Sequence, residues 1–256
     1  MRRLILGLVL GVCACGGKKD DAAPAGGTDQ AAPAGGATAP AGGGSVTGTV
    51  KFTGTAPANP TIDMSEEPGC KSKYTGTPTD PQVVVADGKL ANVFIYVKSG
   101  LPAGQKFAVP AEPAVIDQDG CLYHPRSFGV MTGQKLEIKN SDPVLHNIKA
   151  VPSKNRGFNI SQPKQGMTTT RTFATEEVMV PVECNVHGWM HASIGVLPHP
   201  FFATSKPDGT FEIKGLPAGT YEIEARHEKL GTRTATVTVP ATGAAKTDFT
   251  FGAATS

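Results

Sequence analysis

The sequence predicts an all-β protein, and three observations carry that expectation. With 31 Gly, 21 Pro and only 18% charged residues beside 39% hydrophobic ones, the 256-residue chain is rich in turns yet able to bury a core. From about Ser45 onward, short runs that alternate apolar and polar residues follow one another, each bounded by Gly, Pro, Asp or Asn. No segment keeps a helical apolar period over three turns, so a β-sandwich or barrel follows. The net charge is +2 and aromatics are 6% of residues, without the basic stripe and stacking platform of a nucleic-acid binder, so no nucleic-acid partner is expected.

The amino terminus, "MRRLILGLVLGVCACGG", has Arg2 and Arg3 before an apolar run from Leu4 to Val12, the layout of an export signal. That run is far shorter than the roughly 20 residues a membrane-crossing helix needs. Its end, "VCAC", resembles the lipobox of bacterial lipoproteins, in which a small residue precedes a cysteine that is acylated. Ala14 before Cys15 fits that pattern better than Val12 before Cys13. The resemblance implies a signal over 1–15, lipidation at Cys15, and a place in the bacterial cell envelope, on the periplasmic side and anchored to a membrane. From 16 to 44 the "AAPAGG" repetition has almost no bulky side chains and cannot offset the entropy of ordering, so it is expected to be a tether with a span on the order of 30 Å.

Strand signals then succeed one another. "SVTGTVKFTG" alternates; "QVVVADGKLANVFIYVKSG" reads as two strands joined at Asp87-Gly88, a strong hairpin signal. "PAVIDQDGCLY", "VMTGQKLEIKN", "MTTTRTFAT", "EVMVPVEC" and "HASIGVLP" continue to about Pro198, and residues 45–199 are taken as one domain. Beyond it, Phe211 and Ile213, then Tyr221, Ile223 and Ala225, then Ala235, Val237 and Val239 recur at every second position. The stretch "DGTFEIKGLPAGTYEIEA" resembles the carboxypeptidase regulatory-like (transthyretin-like) family, which implies a small β-sandwich module over 200–252. Its strands are too few for a whole sandwich, so "GTVKFTG" and "LANVFIYV" are candidates to complete it, which would interleave the two modules.

Chemistry concentrates in "VECNVHGWMHASIGV". Val178, Val180, Val182 and Cys184 share one face of a strand, so the Cys184 sulfur ends an apolar inward row. The next strand sends Ala192, Ile194 and Val196 inward. The short link between them carries His187 and Met190, and "KLEIKNSDPVLHNIKA" supplies His146 and Asn147 from a second strand end. Five cysteines, two of them in the signal region, leave Cys70, Cys121 and Cys184. In an exported chain that points to one disulfide and one special thiol. Cys70 in "EEPGCKSKY" and Cys121 in "DQDGCLY" lie in turn-like sequence and are paired here. His199 and His227 could hold a metal with Glu228, though packing is the favoured role. His124 has no recognisable partner.

With "NSDPVLHN" followed by "CNVHGWM", the chain resembles the cupredoxins, the type 1 blue-copper family, in the short-loop form of amicyanin. The resemblance covers roughly residues 80 to 198 and implies a Greek-key β-sandwich holding one copper ion. It makes His146, Cys184 and His187 the equatorial ligands and Met190 the axial one. One departure is His191, directly after the axial position. A thiolate, two imidazoles and a weak thioether suit both copper oxidation states, whereas one Cys, two His and one Met is not a usual structural zinc set. Asn147 is expected to tie the two ligand loops together behind the metal, and Trp189 to shield the loop by packing. The function implied is single-electron transfer between a donor and an acceptor protein, not catalysis. A copper oxidase or nitrite reductase would need further copper sites than six histidines readily provide. The alternative is a non-redox β-sandwich lipoprotein that holds copper or binds protein or glycan. From Pro143 to Thr175 there is no Asp or Glu, while Lys149, Lys154, Arg156, Lys164 and Arg171 fall there, a basic rim suited to an acidic partner.

Overall fold

The computed structural model describes residues 42–253. The export signal, Cys15 and nearly all of the tether lie outside the described residues. Within them, the chain is all-β apart from the short Pro68–Lys71 helix, and no helix is long and apolar enough to cross a membrane.

Two sandwiches form, each around its own core. In the first, one sheet runs Phe158–Gln162, His146–Ala150, Glu177–Glu183, His191–Leu197, Ser127–Met131. The facing sheet runs Thr168–Arg171, Leu136–Asn140, Ala114–Asp119, Leu122–His124. Ile116, Phe128, Ile138, Ile148, Val182 and Ile194 fill the space between them. The second sandwich has Gly44–Thr53 at the centre of one sheet, paired with Thr210–Leu216, Lys89–Leu90, Ala244–Lys246 and Phe249–Gly252. Its other sheet runs Phe202–Thr204, Phe94–Ser99, Gly219–His227, Gly231–Val239. Phe52, Ile95, Ile213, Tyr221, Ile223 and Phe251 meet inside.

This pairing corrects a division of the chain into 45–199 and 200–252. Val46 stands opposite Ile213 and Ile95 opposite Ala225, so strands from the front of the chain sit among those from its end, and the first sandwich is inserted between them. The physical reason is edge and face closure. The strands after residue 200 alone would leave ladder groups unpaired and one apolar face of each sheet in water.

The two sandwiches share a seam. On the Phe94–Ser99 strand, Ile95 and Val97 face the second core while Phe94 and Tyr96 turn outward to meet Met131, Leu197 and Phe202. Glycine permits the approach: a Cβ on Gly195 would lie 2.1 Å from the Phe94 ring, and one on Gly129 would lie 2.4 Å from Phe202. The His191–Leu197 strand is thereby buried on both faces. Its neighbour departs from a regular strand at Met179, whose φ is 64°, where the pairing register shifts between Glu177 and Val180. As a result Val178 packs toward the seam, and the inward row that leads to the sulfur consists of Val180, Val182 and Cys184 only. At Asp87-Gly88 both residues have positive φ, 50° and 68°, the backbone of a two-residue hairpin turn joining Val85–Ala86 to Lys89–Leu90.

Candidate metal centre

The His146 loop is shaped by its own polar residues. After the Leu136–Asn140 strand, the Asn140 side chain accepts from the Asp142 N–H at 2.9 Å and donates to the Val144 carbonyl at 3.0 Å. This folds the chain back so that His146 opens the next strand. The Asp142 carboxylate accepts from the Gly120 and Cys121 N–H groups at 2.9 and 2.8 Å, and its Oδ2 lies 2.8 Å from His146 Nε2.

The second loop closes on itself. Cys184 N–H donates to the Met190 carbonyl at 3.2 Å, Met190 N–H to the His187 carbonyl at 2.9 Å, and His187 N–H to the Cys184 sulfur at 3.4 Å. His146 Nδ1 and His187 Nδ1 are 3.0 Å apart, and Cys184 Sγ is 4.0 Å from His187 Nδ1. The donor atoms of these three side chains all lie within 4.8 Å of one another. Exposure is 0% for His146, 4% for Cys184, 1% for His187 and 0% for Met190, so the set is closed to bulk water.

Electrostatics favour a charged ligand set. Burial pushes the Cys184 thiol up, but hydrogen bonds from the His146 and His187 rings and the His187 N–H outweigh it and bring the pKa down to about 5, so the sulfur is a thiolate at neutral pH. Burial also disfavours the charge on His146, yet Asp142 and Cys184 together raise its pKa. For Asp142, the His146 ring, Lys73 and the Cys121 N–H overcome desolvation and hold the carboxyl well below its ordinary range. With Asp142 Oδ2 at His146 Nε2 and Glu67 Oε1 3.5 Å from His187 Nε2, the two Nδ1 atoms are the ones turned toward each other and the Cys184 sulfur. Three such donors facing one another call for a shared cation. One thiolate with two imidazoles is the soft, nitrogen-rich set that copper favours.

Asn147 joins the loops: its Oδ1 accepts from the Asn185 N–H at 3.2 Å while its Nδ2 donates to Asn159 and Ile160 at 2.6 and 3.1 Å. Tyr123 adds a tie that sequence inspection missed, donating from its hydroxyl to the Asn147 and Glu183 carbonyls at 2.5 and 3.2 Å. Trp189 lies with its ring 5.1 Å from that of His187 and donates to the Cys121 carbonyl at 2.9 Å. His191 is half-buried and lines a cleft with Ser193 and Arg126 on the seam face of its strand. Cys70 and Cys121 are joined in a disulfide with Cα atoms 5.5 Å apart.

The structure does not bring His199, His227 and Glu228 together. His199 packs on Phe107 and Phe201, His227 lies near Phe251, and Glu228 pairs with Arg126 at 2.7 Å. Among the described residues, the clusters of three candidate metal-binding side chains all contain His146 or His187, and two of them use a cysteine already in the disulfide. Besides Tyr123, two further contacts escaped the sequence reading. Asp142 had a signal, its place four residues before His146 in the quoted motif; Glu67 had none.

No protein-family model matches the chain, and no curated protein matches it. Solved structures with partial likeness include an oxidised point variant of amicyanin, 19% identical with a TM-score of 0.31, covering 40% of this chain and 97% of that one. A purple cupredoxin from Nitrosopumilus maritimus is 22% identical with a TM-score of 0.29, over 32% of this chain and 98% of that one. A Cu-containing nitrite reductase from Thermus scotoductus SA-01 is 19% identical with a TM-score of 0.30, over 38% of this chain, which spans only 25% of that protein's length.

Proposed function

We propose that this chain is an exported, lipid-anchored carrier of single electrons that holds one copper ion with His146, Cys184 and His187 and, more weakly, Met190. The observation that carries the proposal is the convergence of two imidazole Nδ1 atoms and a thiolate within 4.8 Å in a site closed to water. When bound, copper supplies a one-electron couple. The chain's own groups do the rest: Cys184 is ionised in advance, Asp142 orients His146 through its far nitrogen, and Asn147 locks the two loops together. A rigid donor set limits rearrangement when the charge at the site changes by one. Of the basic rim, Lys149 is taken up by Glu183 at 2.6 Å, while Lys154, Arg156, Lys164 and Arg171 pair with no carboxylate among the described residues and would face an acidic redox partner, with Cys15 lipidated and the tether holding the folded part near a membrane.

Titrating the metal-free protein with Cu(II) tests the copper assignment. The expected result is an intense visible band that saturates at about one equivalent and is absent from the Cys184→Ser protein, whose hydroxyl is a harder, poorer donor. A wild-type protein that binds Cu(II) without that band would replace the electron carrier with a copper-holding module.

A further inference from the structure

Residues 54–84 belong to neither sandwich's sheets; a lone bridge between Thr61 and Thr79 and the Pro68–Lys71 helix are their regular structure. They nonetheless cross the metal end of the first sandwich. Ile62, Met64 and Cys70 are buried in its core, and Cys70 is bonded to Cys121. Gly69 lies so close to the His146 loop that a Cβ there would be 2.4 Å from a methyl of Val144. Tyr74 donates to the Gly120 carbonyl at 2.6 Å.

From this strap, side chains reach the far nitrogen of each histidine. Glu67 Oε1 is 3.5 Å from His187 Nε2, and Cys70 Sγ is 4.0 Å from the same atom. On the other side Lys73 Nζ is 2.7 Å from Asp142 Oδ1, and the second oxygen of that carboxylate is the one beside His146 Nε2. Each imidazole therefore has a strap side chain behind it, Glu67 within ion-pair distance of the His187 far nitrogen and Lys73 acting on His146 through a buried carboxylate, while the two Nδ1 atoms turn toward each other.

The geometry points to Glu67 and Lys73 as positioning residues of the copper site, carried on a strap that the Cys70–Cys121 disulfide latches over His187. The assignment rests on the copper reading above for its electronic part only; the covering of His187, and through that ring of the Cys184 sulfur 4.0 Å from its Nδ1, stands apart from it. A carboxylate on Nε2–H fixes the tautomer and ring orientation and makes Nδ1 a better donor, which favours the more highly charged Cu(II). Loss of such a contact typically lowers metal affinity about 10 to 100-fold. If Cu(I) binding is unchanged, each tenfold loss of Cu(II) affinity raises the reduction potential by about 59 mV.

The test has two arms. In the copper-loaded protein, Glu67→Gln and Lys73→Met should weaken Cu(II) binding and raise the potential, with Glu67→Asp restoring part of the change. In the metal-free protein, the rate at which iodoacetamide alkylates Cys184 should rise about tenfold or more in the Cys70→Ala/Cys121→Ala protein, as the strap opens. Circular dichroism checks that this double variant keeps its sheets, and Tyr74→Phe with Lys73→Met loosens the same strap with the disulfide intact. Unchanged potential and affinity in Glu67→Gln would overturn the positioning role. Alkylation at the wild-type rate in both strap variants would overturn the covering role. A wild-type protein that shows no copper couple would instead defeat the electron-carrier reading, with the alkylation arm still deciding the strap.

Discussion

Protonating His227 should loosen the second sandwich. The ring is 2% exposed at the end of the Gly219–His227 strand, where its Nδ1 accepts from the Lys229 N–H at 3.2 Å. A proton on that nitrogen would set donor against donor. Burial first, then the charges of Arg126 and Lys229, lowers its pKa from 6.5 to about 4. In that window the unfolded chain binds a proton that the native protein refuses. The stability from this residue is therefore complete above the unfolded value, falls as the pH drops through the window, and levels off below the native value. That separation between the two states corresponds to about 3 kcal/mol, most of it already lost at about pH 4.5. His199, also buried and lowered to about 4, acts in the same direction, so the informative quantity is a difference between proteins. Urea unfolding of the metal-free wild type and of His227→Gln, each at about pH 7.5 and about pH 4.5, isolates it. Between those conditions the wild type should lose about 2 to 3 kcal/mol more than the variant. Equal losses would mean that His227 is protonated, or solvated, in the native protein, contrary to its packing.

At the seam, Gly195→Ala places a methyl 2.1 Å from the Phe94 ring and should cost about 1 to 3 kcal/mol or more, read as a fall in Tm and partly relieved by Phe94→Leu; a neutral effect would contradict the close stacking of the two sandwiches. Met190→Gln should keep copper bound while lowering the reduction potential, and His191→Ala, on the seam face, should leave it unchanged; the reverse outcome would make His191 the axial residue. Electron transfer to an acidic partner should slow steeply as ionic strength rises and the screening length shrinks from about 30 to about 8 Å, and a rate indifferent to salt would remove the basic rim from the partner interface.

Local pattern was enough for much of this fold. Alternation and turn residues mark most strands, and Asp87-Gly88 turns where its dipeptide says it should because few residue pairs take positive φ twice in succession. Pairing between Gly44–Thr53 and the strands after residue 200 was only partly legible, since it depends on which apolar faces remain uncovered once every strand exists. The bulge at Met179 had no sequence signal, because a methionine at positive φ is held there by its surroundings rather than by preference. Gly129 and Gly195, inside strands, did carry a cue for close backbone approach. At the metal centre, the spacing of Cys184, His187 and Met190 and the separate His146 expose the donor set because loop chemistry is local. Glu67 does not appear in any such pattern: its contact with His187 exists only after the strap has folded across the first sandwich and closed on Cys121.

Cyclic voltammetry of the wild-type protein carrying one equivalent of copper tests the electron-carrier assignment most directly. A single, chemically reversible one-electron wave, which disappears in Cys184→Ser, is the predicted result. A protein that binds the ion but gives no reversible wave, or gives the same wave without the Cys184 sulfur, would contradict it.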